Sequence, residues 1–161
     1  MFSFLKKKVS AHVLGSPCNG NAVKMSEVSD PTFSQELLGK GAAIVPSDGK
    51  IVSPCDGSIT MLFNTLHAVG ITSPDGVEVL LHVGIDTVNL KGEGFTAHVK
   101  QGDSVKRGDL LLTADLDVIK AAGYDPTVMM VVTNTGNYAS VESDAPCSAV
   151  AGNDLVTVKD K

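Results

Sequence analysis

The 161-residue chain has no tryptophan, two tyrosines and five phenylalanines, which excludes a core of stacked aromatic rings and leaves Val, Leu, Ile and Ala to fill it. No run of 18 apolar residues is present, so no helix is expected to span a membrane. Basic residues are in deficit, 13 Lys and Arg against 18 Asp and Glu for a net charge of −5. That balance argues against a nucleic-acid footprint and leaves basic partners open. Cysteine is scarce: Cys18, Cys55 and Cys147 form an odd set without C-x-x-C spacing, which suits neither a disulfide framework nor a cysteine zinc site. A secretory signal is also missing, because the apolar Phe2, Phe4 and Leu5 precede Lys6, Lys7 and Lys8, the reverse of the export order. The expectation is a cytoplasmic protein with a flexible tail over residues 1–11 and one domain over residues 12–161. Two readings of the tail stay open: a plain disordered start, or weak contact with the inner face of the cell membrane, Phe2, Phe4 and Leu5 inserted and the lysines at anionic headgroups. The initial Met and the tail favour an independent chain over a piece of a larger transporter.

What the chain does have is 16 glycines and 7 prolines among 43% hydrophobic residues. Short apolar stretches bounded by turn signals predict strands over residues 42–45, 58–63, 68–71, 77–83, 96–99, 110–113, 128–133 and 155–158. Ser47-Asp48-Gly49, Ser73-Pro74-Asp75-Gly76, Lys91-Gly92-Glu93-Gly94 and similar clusters between them supply turn residues. Two short helices fit: one with Asp30 as N-cap, Pro31 at its first position and Gly39 just past its end, the other running from Asp115 as N-cap to Gly123. The fold class is therefore all-β, a barrel or sandwich with short helices.

Each cysteine follows a proline, in Ser16-Pro17-Cys18, Ser53-Pro54-Cys55 and Ala145-Pro146-Cys147, and the first two continue as Asn19-Gly20 and Asp56-Gly57. This reads as an internal repeat in which Cys is a small buried residue beginning a strand after a proline-marked entry. A reactive thiol would need a cationic neighbour or a base, and none is visible nearby. The paired Gly102-Asp103 and Gly108-Asp109 turns are shared with biotinyl and lipoyl carrier domains. No lysine displayed beside Met or Ala stands between the two halves, so the likeness is one of turns and not of cofactor chemistry.

The informative stretch runs from residue 61 to residue 95. A type I turn at Ser73-Pro74-Asp75-Gly76 folds two strands back on each other, and its symmetric register makes His67 and His82 cross-strand neighbours about 5 Å apart. A bulge after the turn would shift the pairing by one residue and separate the rings. Alternation puts Met61, Phe63, Thr65 and His67 on one face with Glu78, Leu80 and His82, leaving Val77, Val79, Leu81 and Val83 to be buried. Three uses of the pair stay open: histidines satisfied by backbone groups, two ligands of a metal site that a partner completes, or nucleophilic catalysis with one imidazole attacking while its neighbour stabilises charge.

The segment Gly76-Val77-Glu78-Val79-Leu80-Leu81-His82-Val83-Gly84-Ile85-Asp86-Thr87-Val88 resembles the phosphorylation-site signature of the glucose-family IIA component of the phosphoenolpyruvate-dependent sugar phosphotransferase system. Asp30-Pro31-x-Phe33 leading to Leu37-Leu38-Gly39, Pro54-x-Asp56-Gly57, Thr65-x-His67-Ala68 and Leu90-x-Gly92-x-Gly94-Phe95 are similar to family landmarks in the family order. The likeness spans roughly residues 12 to 159. It implies a barrel-sandwich hybrid with Greek-key features and a phosphohistidine relay. His82 would accept the phosphoryl group on Nε2 from the histidine-containing phosphocarrier protein and pass it to a cysteine of a sugar-specific IIB domain, with the IIC membrane domain importing the sugar. His67 would stabilise the phosphoryl oxygens, Thr65 would orient the site, and the Gly84 carbonyl would hold Nδ1–H of His82.

The resemblance also assigns a docking face to Phe33, Leu37, Leu38, Phe63, Leu80 and Val88, with Asp30 and Asp86 as acidic contacts for basic groups on the phosphocarrier protein. No cofactor is required. The main alternative is a regulatory module that contacts enzymes or transporters according to its phosphorylation, and a second is a zinc ion held by His67 and His82 and completed by a partner. Lys40 stands where relatives often carry Asp, and His12 and His98 read as ordinary surface or strand histidines. The sugar is not encoded in this chain.

Overall fold

Alternation of apolar residues with period two, strongest around Val79, Leu81 and Val83, builds a sheet whose two faces have different fates. The computed structural model describes residues 10–161; the tail residues Phe2, Phe4, Leu5 and Lys6 to Lys8, with their membrane-surface reading, lie outside them. Fourteen strands occur in the described residues: β1 (Ala11–Gly15), β2 (Gly20–Val23), β3 (Lys40–Pro46), β4 (Lys50–Val52), β5 (Gly57–Leu62), β6 (Ala68–Thr72), β7 (Glu78–Val83), β8 (Phe95–Ala97), β9 (Ser104–Val105), β10 (Leu110–Ala114), β11 (Val128–Val132), β12 (Tyr138–Ser143), β13 (Cys147–Ala149) and β14 (Asp154–Asp160). An open eight-stranded sheet runs β13-β2-β3-β11-β7-β6-β5-β9, and two three-stranded sheets, β1-β14-β12 and β4-β10-β8, pack with it. The named pairings are antiparallel, and the all-β, sandwich-like expectation holds.

One face of the large sheet carries Ala42, Met130, Leu81 and Val69 into the main core, together with Ile44, Val128, Val83, Ile71 and Val79. The other carries the row Val23, Ala43, Met129, His82 and Ala68. A segment containing a 3₁₀ turn (Met25–Glu27) and helix α1 (Pro31–Ser34) crosses this second face, and Met25, Val28 and Phe33 seal against Ala43, Met129 and Val131. Strand β11 is thus buried on both sides, as its unbroken Val-Met-Met-Val-Val run requires.

Asp30 caps α1 by accepting from the Thr32 N–H at 2.9 Å. The helix is shorter than the expected span to Gly39, because Glu36 adopts a left-handed φ of 58° and ends the ladder. Asp115 caps helix α2 (Leu116–Ala121) by accepting from Asp117 and Val118 N–H groups, and Gly123 at φ 90° closes it.

The internal repeat has a structural counterpart. Ser16 and Ser53, both buried, donate to the carbonyls of Cys18 and Cys55 at 2.6 and 2.7 Å. Gly15 N–H donates to Pro54 O and Val52 N–H to Pro17 O, so the two copies bond each other reciprocally. Cys18 and Cys55 sit two residues ahead of their strands instead of beginning them; Cys147 begins β13. The paired Gly-Asp turns are also alike, with Asp103 and Asp109 each accepting from the N–H three residues earlier at 2.8 Å.

Candidate functional site

The β6–β7 hairpin does not adopt the symmetric register. Ser73 and Val77 close a three-residue loop, Gly76 N–H donates to Ser73 O, and Gly76 takes φ 93°, the signature of a type I turn followed by a glycine bulge. Ala68 therefore faces His82, and His67 lies one step earlier, its carbonyl accepting from Val83 N–H at 2.7 Å. The expected separation of the rings does not follow. Leu66 is left-handed at φ 60°, so residues 63–67 leave the strand geometry and alternation no longer governs the side His67 takes. The two imidazoles meet edge to face with centroids 4.9 Å apart.

Each ring is held at Nδ1. His82 Nδ1 lies 2.8 Å from Gly84 O; a carbonyl only accepts, so Nδ1 carries the proton and Nε2 keeps its lone pair. The Thr65 hydroxyl lies 2.6 Å from His67 Nδ1. Phe33 packs on His82 at 5.0 Å between centroids and Phe63 on His67 at 5.4 Å. His67 is only 4% exposed, and its burial, then the neighbouring His82, push its pKa down to about 4. Burial also lowers the His82 pKa, against the opposing pull of the Gly84 carbonyl and the charges of Asp30 and Asp86. Both rings are therefore mainly neutral at pH 7.

Thr65, His67, His82 and Gly84 come together as expected. Of the residues expected on the docking face, Leu37, Leu38, Phe63 and Val88 are exposed and Leu80 is half-buried. Phe33 is a correction: at 4% exposure it is packed between His82 and the apolar residues of β3 and β11, so it seats the ring and offers no free surface. An apolar groove lined by Met61, Phe63, Gly70, Leu80 and Thr133 continues this face. His12 is engaged elsewhere with Asp75 and Asp160, and His98 with Thr113. Cys18 and Cys55 are buried, and burial followed by the charges of Asp48 and Asp56 pushes their thiols up to about 12 and about 11, which leaves them unreactive.

A family model described as the phosphoenolpyruvate-dependent sugar phosphotransferase system, EIIA 1, matches residues 12–138. The chain belongs to this family. Among curated relatives of this EIIA chain, a PTS system glucose-specific EIIA component from Halalkalibacterium halodurans is 48% identical over 145 residues, 89% of this chain and 84% of the relative. A PTS system beta-glucoside-specific EIIBCA component from Bacillus subtilis is 51% identical over 130 residues, 81% of this chain but 21% of the relative. The chain therefore spans about a fifth of that multidomain relative's length. Among solved structures, glucose permease IIA from Mycoplasma capricolum superposes with a TM-score of 0.84 at 34% identity, covering 98% of this chain and 99% of the other. No helix among the described residues is long and apolar enough to cross a membrane.

Sequence reasoning missed the residues behind the site. Gly84 sits in a turn whose N–H groups bond Thr127 O and Asp125 O, and the buried Thr87 hydroxyl donates to Val83 O. Asp125 and Thr127 are distant in sequence, and the Asp-x-Thr pattern shows only their local turn, not what it holds.

Proposed function

We propose that this EIIA chain is a phosphoryl carrier of the sugar phosphotransferase system, with His82 as acceptor and His67 as its stabilising neighbour. The observation that carries the reading is the Nδ1–H of His82 on Gly84 O at 2.8 Å, with the His67 ring 4.9 Å away. The Nε2 lone pair of His82 attacks phosphorus as the N–P bond of the phosphorylated histidine-containing phosphocarrier protein breaks. A thiolate of the sugar-specific IIB domain then attacks that phosphorus, the His82 N–P bond breaks, and the neutral imidazole returns. Thr65 donates to His67 Nδ1, which leaves His67 Nε2–H to donate to the phosphoryl oxygens. Phosphoryl transfer of this kind is largely positioning and charge stabilisation. The Asp30 and Asp86 carboxylates also repel the added phosphate charge, which keeps the phosphohistidine from becoming a sink.

The exposed Leu37, Leu38, Phe63 and Val88, with Asp30 and Asp86, supply an apolar patch with an acidic edge suited to transient docking of basic partners, the phosphocarrier protein and then the IIB/IIC sugar permease. The same surface serves contacts with regulated enzymes or transporters. Among the described residues no three His, Cys, Asp or Glu side chains form a group that could hold a metal, so a zinc ion on His67 and His82 would take its other ligands from a partner. Location at the cytoplasmic face fits this chemistry.

Incubating the protein with phosphoenolpyruvate, enzyme I and the phosphocarrier protein tests the reading. The expected product is an acid-labile, base-stable phosphate on His82, absent in His82→Ala. His67→Gln is expected to accept phosphate and fail to deliver it to IIB. Absence of label on the wild-type protein would leave a regulatory binding module as the better description, and normal sugar phosphorylation by His67→Gln would remove the role given to His67.

A further inference from the structure

The proton on His82 Nδ1 is fixed by one carbonyl, so whatever fixes that carbonyl also decides whether Nε2 is free to react. Gly84 and Asp86 both have left-handed φ values, 85° and 61°, and the turn they form lies beyond the end of β7. Three ties hold it: Gly84 N–H donates to Thr127 O at 2.8 Å, Ile85 N–H donates to Asp125 O at 2.9 Å, and Thr87 Oγ1–H donates to Val83 O. Asp125 Oδ1 in turn accepts from both the N–H and the hydroxyl of Thr127, at 2.9 and 2.6 Å. Thr87 is fully buried, and its Cγ2 methyl packs so closely on Gly84 that a Cβ there would collide with it. Thr87 therefore grips the turn twice, by a hydrogen bond to the carbonyl preceding Gly84 and by a methyl against Gly84 itself.

We propose that Thr87 is a positioning residue for His82: it aims the Gly84 carbonyl at Nδ1 and so holds the acceptor imidazole in the tautomer whose Nε2 is unprotonated, with Asp125 and Thr127 strapping the far side of the same turn. The inference rests on the phosphocarrier reading. When the turn loosens, the imidazole samples the other tautomer, in which Nε2 carries the proton and cannot attack. Loss of one positioning hydrogen bond corresponds to an effect of about tenfold on the acceptance rate.

The test compares wild type, Thr87→Val and Thr87→Ser by ¹⁵N NMR of the His82 ring at pH 7.5 and by single-turnover phosphoryl acceptance from the phosphorylated phosphocarrier protein. Wild type is expected to show one pyrrole-type nitrogen at Nδ1 and one pyridine-type nitrogen at Nε2. In Thr87→Val the two shifts move toward each other and acceptance slows by about tenfold, while Thr87→Ser, which keeps the hydroxyl but gives up the methyl against Gly84, falls between Thr87→Val and wild type. Should Thr87→Val fail to fold, Asp125→Ala, which loosens the strap from its exposed side, carries the same two readouts. Unchanged ring shifts and rate in the folded variant, or an equal fall in Thr87→Ser, would overturn the proposal. A tautomer change in a protein that takes no phosphate would uphold the positioning role and remove the phosphocarrier reading. A phosphorylated wild type with an indifferent Thr87→Val would do the reverse.

Discussion

Replacing His67 by Gln and lowering the pH separates the burial of this imidazole from every other acid-sensitive group in the protein. His67 is 4% exposed, and burial followed by the neighbouring His82 brings its pKa to about 4, against about 6.5 for the unfolded chain. Because the folded value is the lower, the unfolded chain binds more protons between these limits. The stabilisation is complete above pH 6.5 and is lost as the pH falls toward 4. The whole interval corresponds to at most about 3 kcal/mol, and the part between pH 7 and pH 5 to about 2 kcal/mol. His82 changes in the same direction and is present in both proteins, so the difference between wild type and variant reports His67 together with its coupling to His82. Urea unfolding at pH 7, 6 and 5 reads it: from pH 7 to pH 5 the wild-type midpoint should fall further than that of His67→Gln, by about 1 M. Parallel pH dependences in the two proteins would refute the claim that His67 is held neutral by its site.

The buried thiols and the Asp30 carboxylate give two further outcomes. Pulse alkylation of the folded protein at pH 8, read by mass spectrometry, should label Cys147 and spare Cys18 and Cys55, whose thiols are buried and pushed up to about 12 and about 11; labelling of Cys18 as fast as Cys147 would contradict that burial. Asp30→Asn keeps an oxygen to cap α1 at Thr32 N–H while removing a charge that raises the His82 pKa. His82 should then titrate at lower pH in NMR, and an unchanged or higher titration midpoint would show that this carboxylate does not act on the ring.

Several features of this protein were set by short-range chemistry and were therefore legible in the chain alone. The N-caps Asp30 and Asp115 act within two or three residues. The burial of Val77, Val79, Leu81 and Val83 follows from period-two alternation, and the signature around His82 resembled a family that the whole-chain comparisons then showed. Strands such as β4, β9 and β13, two or three residues long, carry too few residues for a period and exist only because a longer neighbour pairs with them. The glycine bulge at Gly76 shifts a register by one residue, and the left-handed Leu66 then returns His67 to His82. Each is a single dihedral choice whose consequence is which ring meets His82 on another strand, where local pattern has no reach. Phe33 was legible as part of the site and illegible as buried, since its cover comes from Ala43, Met129 and Val131 on other strands. The sequence by itself determined which side chains could do the chemistry. The tautomer of His82 rests on the Gly84 carbonyl two residues away, which the family resemblance already implied; only the tertiary structure decided the charge and contacts of the two rings, because those depend on a desolvated environment supplied by residues distant in the chain.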